Sequence, residues 1–171
     1  MDMNTGLDKF SDYITWGLTN FDVAMFFLAM VFIVFNRVIN RKLPESEIVY
    51  RWMALFALGF TSIYAFAMHA FYPQFTAEQI GWISTPFEYE VAIASLAFGV
   101  LGIVSFSASL GFRIATVIGV MIWMWGDAAG HINQMIINSN FSVGNAGSWF
   151  WMDVTLPFIL LICILKMKEG K

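Results

Sequence analysis

Residues 114–137 read IATVIGVMIWMWGDAAGHINQMII, and this stretch decides the fold. It is long enough and apolar enough to cross a lipid bilayer, which takes about 20 residues of α-helix. Asp127 and His131 nevertheless stand inside it, one helical turn apart and therefore on one face. An ionisable side chain at such a depth is costly, so it needs a compensating partner and indicates a function.

The composition of the whole chain is that of a membrane protein. Of its 171 residues, 59% are hydrophobic and only 12% are charged, which is too little charge for the surface of a soluble domain. Five apolar stretches are typical of transmembrane helices: 20–36, 49–72, 87–109, 114–138 and 149–165. We therefore predict an all-α bundle of five transmembrane helices, forming a single domain over residues 1–171. Residues 7–19 have one apolar face, which predicts a short interfacial helix before the first span.

Basic residues predict how the bundle is oriented. All nine Lys and Arg residues except Lys9 fall in or next to the first loop, the third loop or the C-terminal tail, which five spans place on one side. The loops on the other side carry no basic residue. By the positive-inside rule the basic side is cytoplasmic, so the N-terminus lies outside and the C-terminus lies inside.

The acidic and histidine residues of the spans fall at one depth. A rise of about 1.5 Å per residue from each helix midpoint places them together in the outer half of the membrane. They are Asp22, His69, Glu88, Glu90, Asp127, His131 and Asp153. No Lys or Arg of the spans shares that half. Five carboxylates without a base cannot all stay ionised and unpaired, so protons, a wet cavity or a bound cation must compensate them.

Two histidines in the same layer favour a metal ion. Carboxylate and imidazole ligands suit a divalent or transition metal such as Fe, Mn, Zn or Cu. The predicted ligands are Glu88, Glu90, Asp127, His131, Asp153 and His69. Glu90 and Asp127 are also the predicted catalytic residues, as proton carriers. We expect Glu90, Asp127 and His131 to meet in one pocket, with Gln134 supporting the metal site from the same polar stripe.

Some of these residues also have structural interpretations. Glu88 could complete a capping box with Thr85. Asp22 and Asp153 lie in the first turns of their helices, where a carboxylate complements the helix dipole, and for Asp22 this interpretation is favoured. His69 could be an ordinary interfacial histidine. Asp127, His131 and Glu90 are harder to explain in this way.

Three classes of function are compatible with the acidic layer. The first is an outward-facing metal site, catalytic or redox, that acts on a small or lipid-soluble substrate. The second is a transporter for a divalent cation or for protons, but it would need polar groups in both halves of the membrane. The third is a structural or assembly subunit, although polar contacts between helices usually use Ser, Thr, Asn or Gln. We favour the first class.

The expected partners follow from the helix surfaces. Lipid surrounds the bundle, and Gly126 with Gly130 forms a G-x-x-x-G face that would let a second copy or a partner membrane subunit approach closely. Nucleic acid is not among the expected partners.

Three motifs carry a resemblance to known proteins. They are PFEYEV at 86–91, GDAAGH at 126–131, and NAGSW at 145–149 followed by Asp153. Together they resemble a family of small, uncharacterised bacterial multi-pass proteins, loosely similar to DoxX-like membrane proteins in size and helix count. The likeness covers roughly residues 81–160 and implies Glu88, Glu90, Asp127, His131 and Asp153 as motif positions. It also implies a bacterial inner (plasma) membrane, and it brings no established activity.

The predicted orientation can be tested with reporter fusions. Because the basic residues flank one side of the bundle, a reporter at residue 78 should be active only outside the cytoplasm. A reporter at the C-terminus should be active only inside. Finding residue 78 in the cytoplasm, or the C-terminus outside, would overturn the orientation.

Overall fold

The fold was analysed in a computed structural model, which describes residues 13, 16–39 and 43–169. All regular elements in those ranges are helices, and five are long and apolar enough to span a membrane, as predicted. In chain order the helices are α1 (Phe21–Ile39), α2 (Glu45–Phe71), α3 (Pro73–Ile80), α4 (Phe87–Ser105), α5 (Leu110–Asn138), α6 (Val143–Ala146) and α7 (Ser148–Glu169). The short helices α3 and α6 precede the spanning helices α4 and α7. The predicted interfacial helix at 7–19 lies mostly outside the described residues.

Local sequence explains where several helices begin. α2 starts at Glu45, directly after Pro44, rather than at residue 49. α5 starts at Leu110 rather than at residue 114, because Ser109 caps it by accepting a hydrogen bond from the backbone N–H of Phe112 at 3.4 Å. The capping box of Thr85 and Glu88, one of two interpretations of Glu88, is not found at the start of α4. Pro86 precedes that helix without a side-chain cap, and Glu88 is used elsewhere.

Helices α2 and α4 cross closely. A stripe of small residues on α4, which includes Ser95, Gly99 and Gly102, is buried. A Cβ atom at Gly102 would come within 2.8 Å of the backbone oxygen of Ala54, so only glycine fits this crossing. Opposite it, α2 is π-helical over Met53–Phe60, a form that is found frequently at functional sites. The next turns of α2 form part of a cavity wall.

A buried arginine holds the other end of the bundle together. Arg113 is only 3% exposed, and its guanidinium donates to Glu47 Oε2 at 2.7 Å and to the carbonyls of Ser105 and Phe106, both at 2.9 Å. It thereby ties the start of α5 to α2 and to the end of α4. Arg113 was predicted to be a charge of the third loop, but it lies within α5 because that helix begins earlier than predicted. A charged group is stable in such a place only because its donors are satisfied.

The bundle therefore has two chemically different ends. We call the end with Arg113 the arginine end; every Lys or Arg side chain that the structure describes lies towards it, namely Arg37, Arg51, Arg113 and Lys166. The opposite end, where α2 ends and α4 and α7 begin, is called the histidine end. It holds His69, Glu88, His131 and Asp153.

Candidate functional site

A cavity opens inside the histidine end. Its volume is about 180 Å³, and α2, α4, α5 and α7 all contribute to its wall. Most of the lining is apolar or aromatic, and the ionisable lining residues are His69, Asp127, His131 and Asp153. A cavity of about 150 Å³ inside another protein is large enough to hold benzene. This cavity can therefore accept a molecule with a small ring.

Asn145 fixes the orientation and the tautomer of His131. Its side-chain oxygen lies 2.8 Å from His131 Nδ1, and its amide nitrogen donates to the carbonyls of His131 at 3.3 Å and of Asn140 at 2.8 Å. Since the amide hydrogens of Asn145 point to carbonyls, its oxygen must face the imidazole, so Nδ1 of His131 carries a hydrogen. In the neutral ring the lone pair is then on Nε2.

Nε2 of His131 points towards a carboxyl group. Asp153 Oδ2 lies 3.9 Å from it, which is too far for a direct hydrogen bond but short enough for one atom of a ligand or a water to bridge. Trp82 stacks on the imidazole with ring centroids 5.8 Å apart, and Phe150 meets it edge-on at 6.4 Å. Aromatic packing and the amide of Asn145 together hold the ring in place.

Two further carboxyl groups surround Asp153. It lies within electrostatic range of Asp127, which lines the cavity, and of Asp22, which does not. Asp22 is completely buried, and its Oδ1 accepts a hydrogen bond from Ser148 at 3.0 Å. Its other oxygen has no hydrogen-bond partner among the described residues. The sequence favoured a structural role for Asp22 at the start of α1, and its place in the first turn of that helix agrees with this.

His69 and Glu88 form a separate, closed pair. Nδ1 of His69 lies 2.5 Å from Glu88 Oε2 and donates to it, which links α2 to α4. His69 lines the cavity, whereas Glu88 does not, and Glu88 is only 8% exposed. Glu88 is thus the partner of a histidine rather than a helix cap.

Glu90 is not part of the site. It is exposed and does not line the cavity, so the expected meeting of Glu90 with Asp127 and His131 is not found. The reason is helical geometry, because residues two apart on a helix point to nearly opposite sides. Glu88 takes the buried side with the small-residue stripe, which leaves Glu90 on the outer surface of α4. Asp127 and His131 do line the cavity together, as their spacing predicted.

The other sequence predictions for this region have mixed outcomes. No group of three or more His, Cys, Asp and Glu side chains in the described ranges is close enough to hold a metal ion. Gln134 accepts a hydrogen bond from Asn138 at 2.6 Å, while the amide that supports His131 is Asn145. Gly126 and Gly130 have open space where a side chain would be, so no described part of the chain packs closely against them.

Comparison with known proteins gives a family but no activity. Residues 19–171 match the model of a family of unknown function, DUF6790. No curated protein matches the chain, and no solved structure matches it. The expected resemblance to an uncharacterised family is confirmed, whereas the likeness to DoxX-like proteins and the bacterial origin gain no support.

The role of Asn145 predicts a tautomer that can be measured. In protein labelled with ¹⁵N-histidine, neutral His131 should show the Nδ1–H form, and because the chain has only two histidines, His69→Gln assigns the signals. Asn145→Leu should abolish the single tautomer and lower the free energy of unfolding by about 1–3 kcal/mol, because two carbonyls lose their donor. Asn138→Leu is the matched control, since Asn138 is exposed and its side chain bonds only to Gln134 among the contacts described. An Nε2–H tautomer in the unaltered protein would contradict the assignment.

Proposed function

The chain belongs to this family of unknown function, and we propose from its own geometry that it binds a small, lipid-soluble molecule at an intramembrane acid–base site. The proposal rests on one observation. Nε2 of His131, held without a hydrogen, faces Asp153 at the wall of a largely apolar cavity. A lone pair and a carboxyl group on either side of a gap are the parts that proton exchange with a bound molecule requires.

The lining suggests how such a molecule would lie. Its apolar body would pack against aromatic rings such as Tyr64, Phe98 and Trp123. Its polar group would fill the 3.9 Å gap between His131 and Asp153, bonding to both. His131 then accepts a proton through Nε2, and the carboxyl group of Asp153 exchanges one on the other side of the gap, while Asn145 keeps Nδ1 out of the exchange. Asp127 sets the charge of the site from the same wall.

The remainder of the bundle supports a site that opens towards one end. Between the cavity and Arg113, the buried side chains of α5 and α7 include Val117, Leu156 and Leu160, and the buried hydroxyls are scattered, at Thr61, Ser105 and Thr116. Among the described residues, this layer buries no acid or histidine along which an ion could cross. We therefore favour binding and proton exchange over transport. We also favour a role of the cavity's acids in this exchange over a purely structural role.

A metal ion in the same cavity is the second candidate. A histidine that binds a metal almost always donates its other N–H to a carbonyl, carboxylate or water, and Asn145 receives that of His131. Nε2 of His131 with Asp127 and Asp153 would then be the ligands, for Fe, Mn, Zn or Cu. This candidate ranks second because the described residues do not already bring three such groups together.

The variant Asp127→Asn distinguishes the two candidates, because they predict opposite changes in stability. If protons compensate the acids, the purified protein should contain no metal, and the variant should be as stable as the parent or more stable, because asparagine avoids the cost of burying a charge. If a metal compensates them, elemental analysis should find it, and the variant should lose metal and thermal stability together. A stoichiometric metal lost on Asp127→Asn would replace the acid–base proposal with the metal site.

Binding in the cavity can be tested with a defined neutral probe. 4-Fluorobenzyl alcohol, followed by ¹⁹F NMR in phosphatidylcholine nanodiscs, should bind saturably and shift the ¹⁵N signals of His131. Ala65→Phe places a ring in the cavity wall and should weaken binding by about tenfold or more, equivalent to ~1.4 kcal/mol. Ala97→Phe makes the same change on the exposed surface of α4 and should leave binding unchanged. Equal uptake by both variants would mean that the probe only partitions into lipid, and would refute the proposal.

A further inference from the structure

The histidine end carries an excess of carboxyl groups over bases. Apart from the exposed Glu90, the acids of the spanning helices at this end are Glu88, which has His69 as its partner, and Asp22, Asp127 and Asp153, which share one histidine, His131. All described Lys and Arg side chains lie towards the arginine end, most of the membrane thickness away. No basic side chain that the structure describes can therefore neutralise these three acids.

Asp22 gives an independent sign of a missing partner. It is fully buried, yet within the described residues its Oδ2 atom has no hydrogen-bond donor. A buried polar atom without a partner destabilises the fold, and more so if it is charged, so natural proteins seldom leave one without a reason. Asp22 does not line the cavity, but it lies within electrostatic range of Asp153, which does, so a positive charge beside Asp153 would act favourably on both carboxyl groups.

The walls of the cavity are also suited to a cation. Tyr64 stacks on Phe21 with ring centroids 4.2 Å apart and on Trp149 at 6.3 Å, and both Tyr64 and Trp149 line the cavity, as does Trp123. An aromatic ring attracts an organic cation where its face is open to the cavity, and most strongly where water is excluded. An anion would be repelled by the acids. A bare metal ion would find apolar walls and no group of three ligands among the described residues.

We infer that the cavity selects a lipophilic amine in its protonated form. This rests on the proposed function and adds the chemical class of the ligand. The ammonium group donates to Asp153 and approaches Nε2 of His131, while the apolar body of the molecule occupies the aromatic part of the cavity. Asp127 adds a second negative charge on the same wall, so the amine supplies the base that the chain itself lacks at this end.

Three probes of one shape test the inference. They are 4-fluorobenzylamine, 4-fluorobenzyl alcohol and 4-fluorobenzoate, measured at pH 7 by ¹⁹F NMR with the full chain in uncharged phosphatidylcholine nanodiscs. The amine should bind about tenfold more tightly than the alcohol, because a charge-assisted hydrogen bond and ring contacts add to the shared apolar contacts. The benzoate should bind most weakly.

Variants of the two aspartates show whether the preference for the amine over the alcohol arises in the cavity. Asp153→Asn should bring the ratio of amine to alcohol affinity close to one while the alcohol still binds, and Asp127→Asn should lower the ratio in part. If Asp153→Asn does not fold, Asp127→Asn still tests the inference. Glu90→Gln is the matched control: it removes a carboxylate from the same end of the bundle, outside the cavity, and should leave the ratio unchanged.

The results distinguish this inference from the proposed function. Equal binding of amine and alcohol to the unaltered protein, with both lost in Ala65→Phe, would overturn the amine and keep the cavity site. A ratio that falls as much in Glu90→Gln as in the aspartate variants would show attraction to the surface only, and would also overturn it. If Ala65→Phe leaves the binding of all three probes unchanged, the proposed function itself is refuted.

Discussion

Compensation of buried carboxyl groups is the constraint on which this structure depends. In an apolar medium an ionised side chain is tolerated only with a partner of opposite charge or with all of its hydrogen bonds made. Arg113 meets this condition within the chain, since Glu47 and two carbonyls take up its donors. The carboxyl groups of Asp127 and Asp153 do not meet it, because no basic side chain of the described residues lies at their end of the bundle. Among the described residues, one end of the molecule is electrostatically complete, and at the other end protons or a bound group must compensate the carboxyl groups.

The packing of the helices keeps these two ends of the bundle apart. Small residues on α4 allow α2 to cross it closely at Gly102, and the π-helical turns of α2 lie at that crossing. Beyond the crossing α2 stays packed against α4, as the pair of His69 and Glu88 shows, and the same turns of α2 also line the cavity. His131 is held in place on another helix, α5, by Asn145 and Trp82.

The sequence predicted the architecture because membrane helices leave a strong signal, and it predicted part of the site. Five apolar runs and the depth of the acids were sufficient to find Asp127, His131, Asp153 and His69 on one cavity wall. Glu90 was misplaced even though the evidence was present: Glu88, not Glu90, continues the buried small-residue stripe of α4, and a helix can turn only one of them inward. Asn145 could not be found from periodicity, because it lies in a four-residue helix whose position depends on the tertiary fold.

The two pairs of histidine and carboxyl group differ in one respect that bears on function. His69 and Glu88 are in direct contact at 2.5 Å, so the pair satisfies itself and ties two helices together. His131 and Asp153 are held 3.9 Å apart, each by other contacts: the imidazole by Asn145 and Trp82, the carboxyl group by its place on α7. A pair that only stabilised the bundle would gain by closing that gap and forming a direct hydrogen bond. The gap stays open on the wall of a cavity, where a third group can enter it, and the proposed binding rests on this difference.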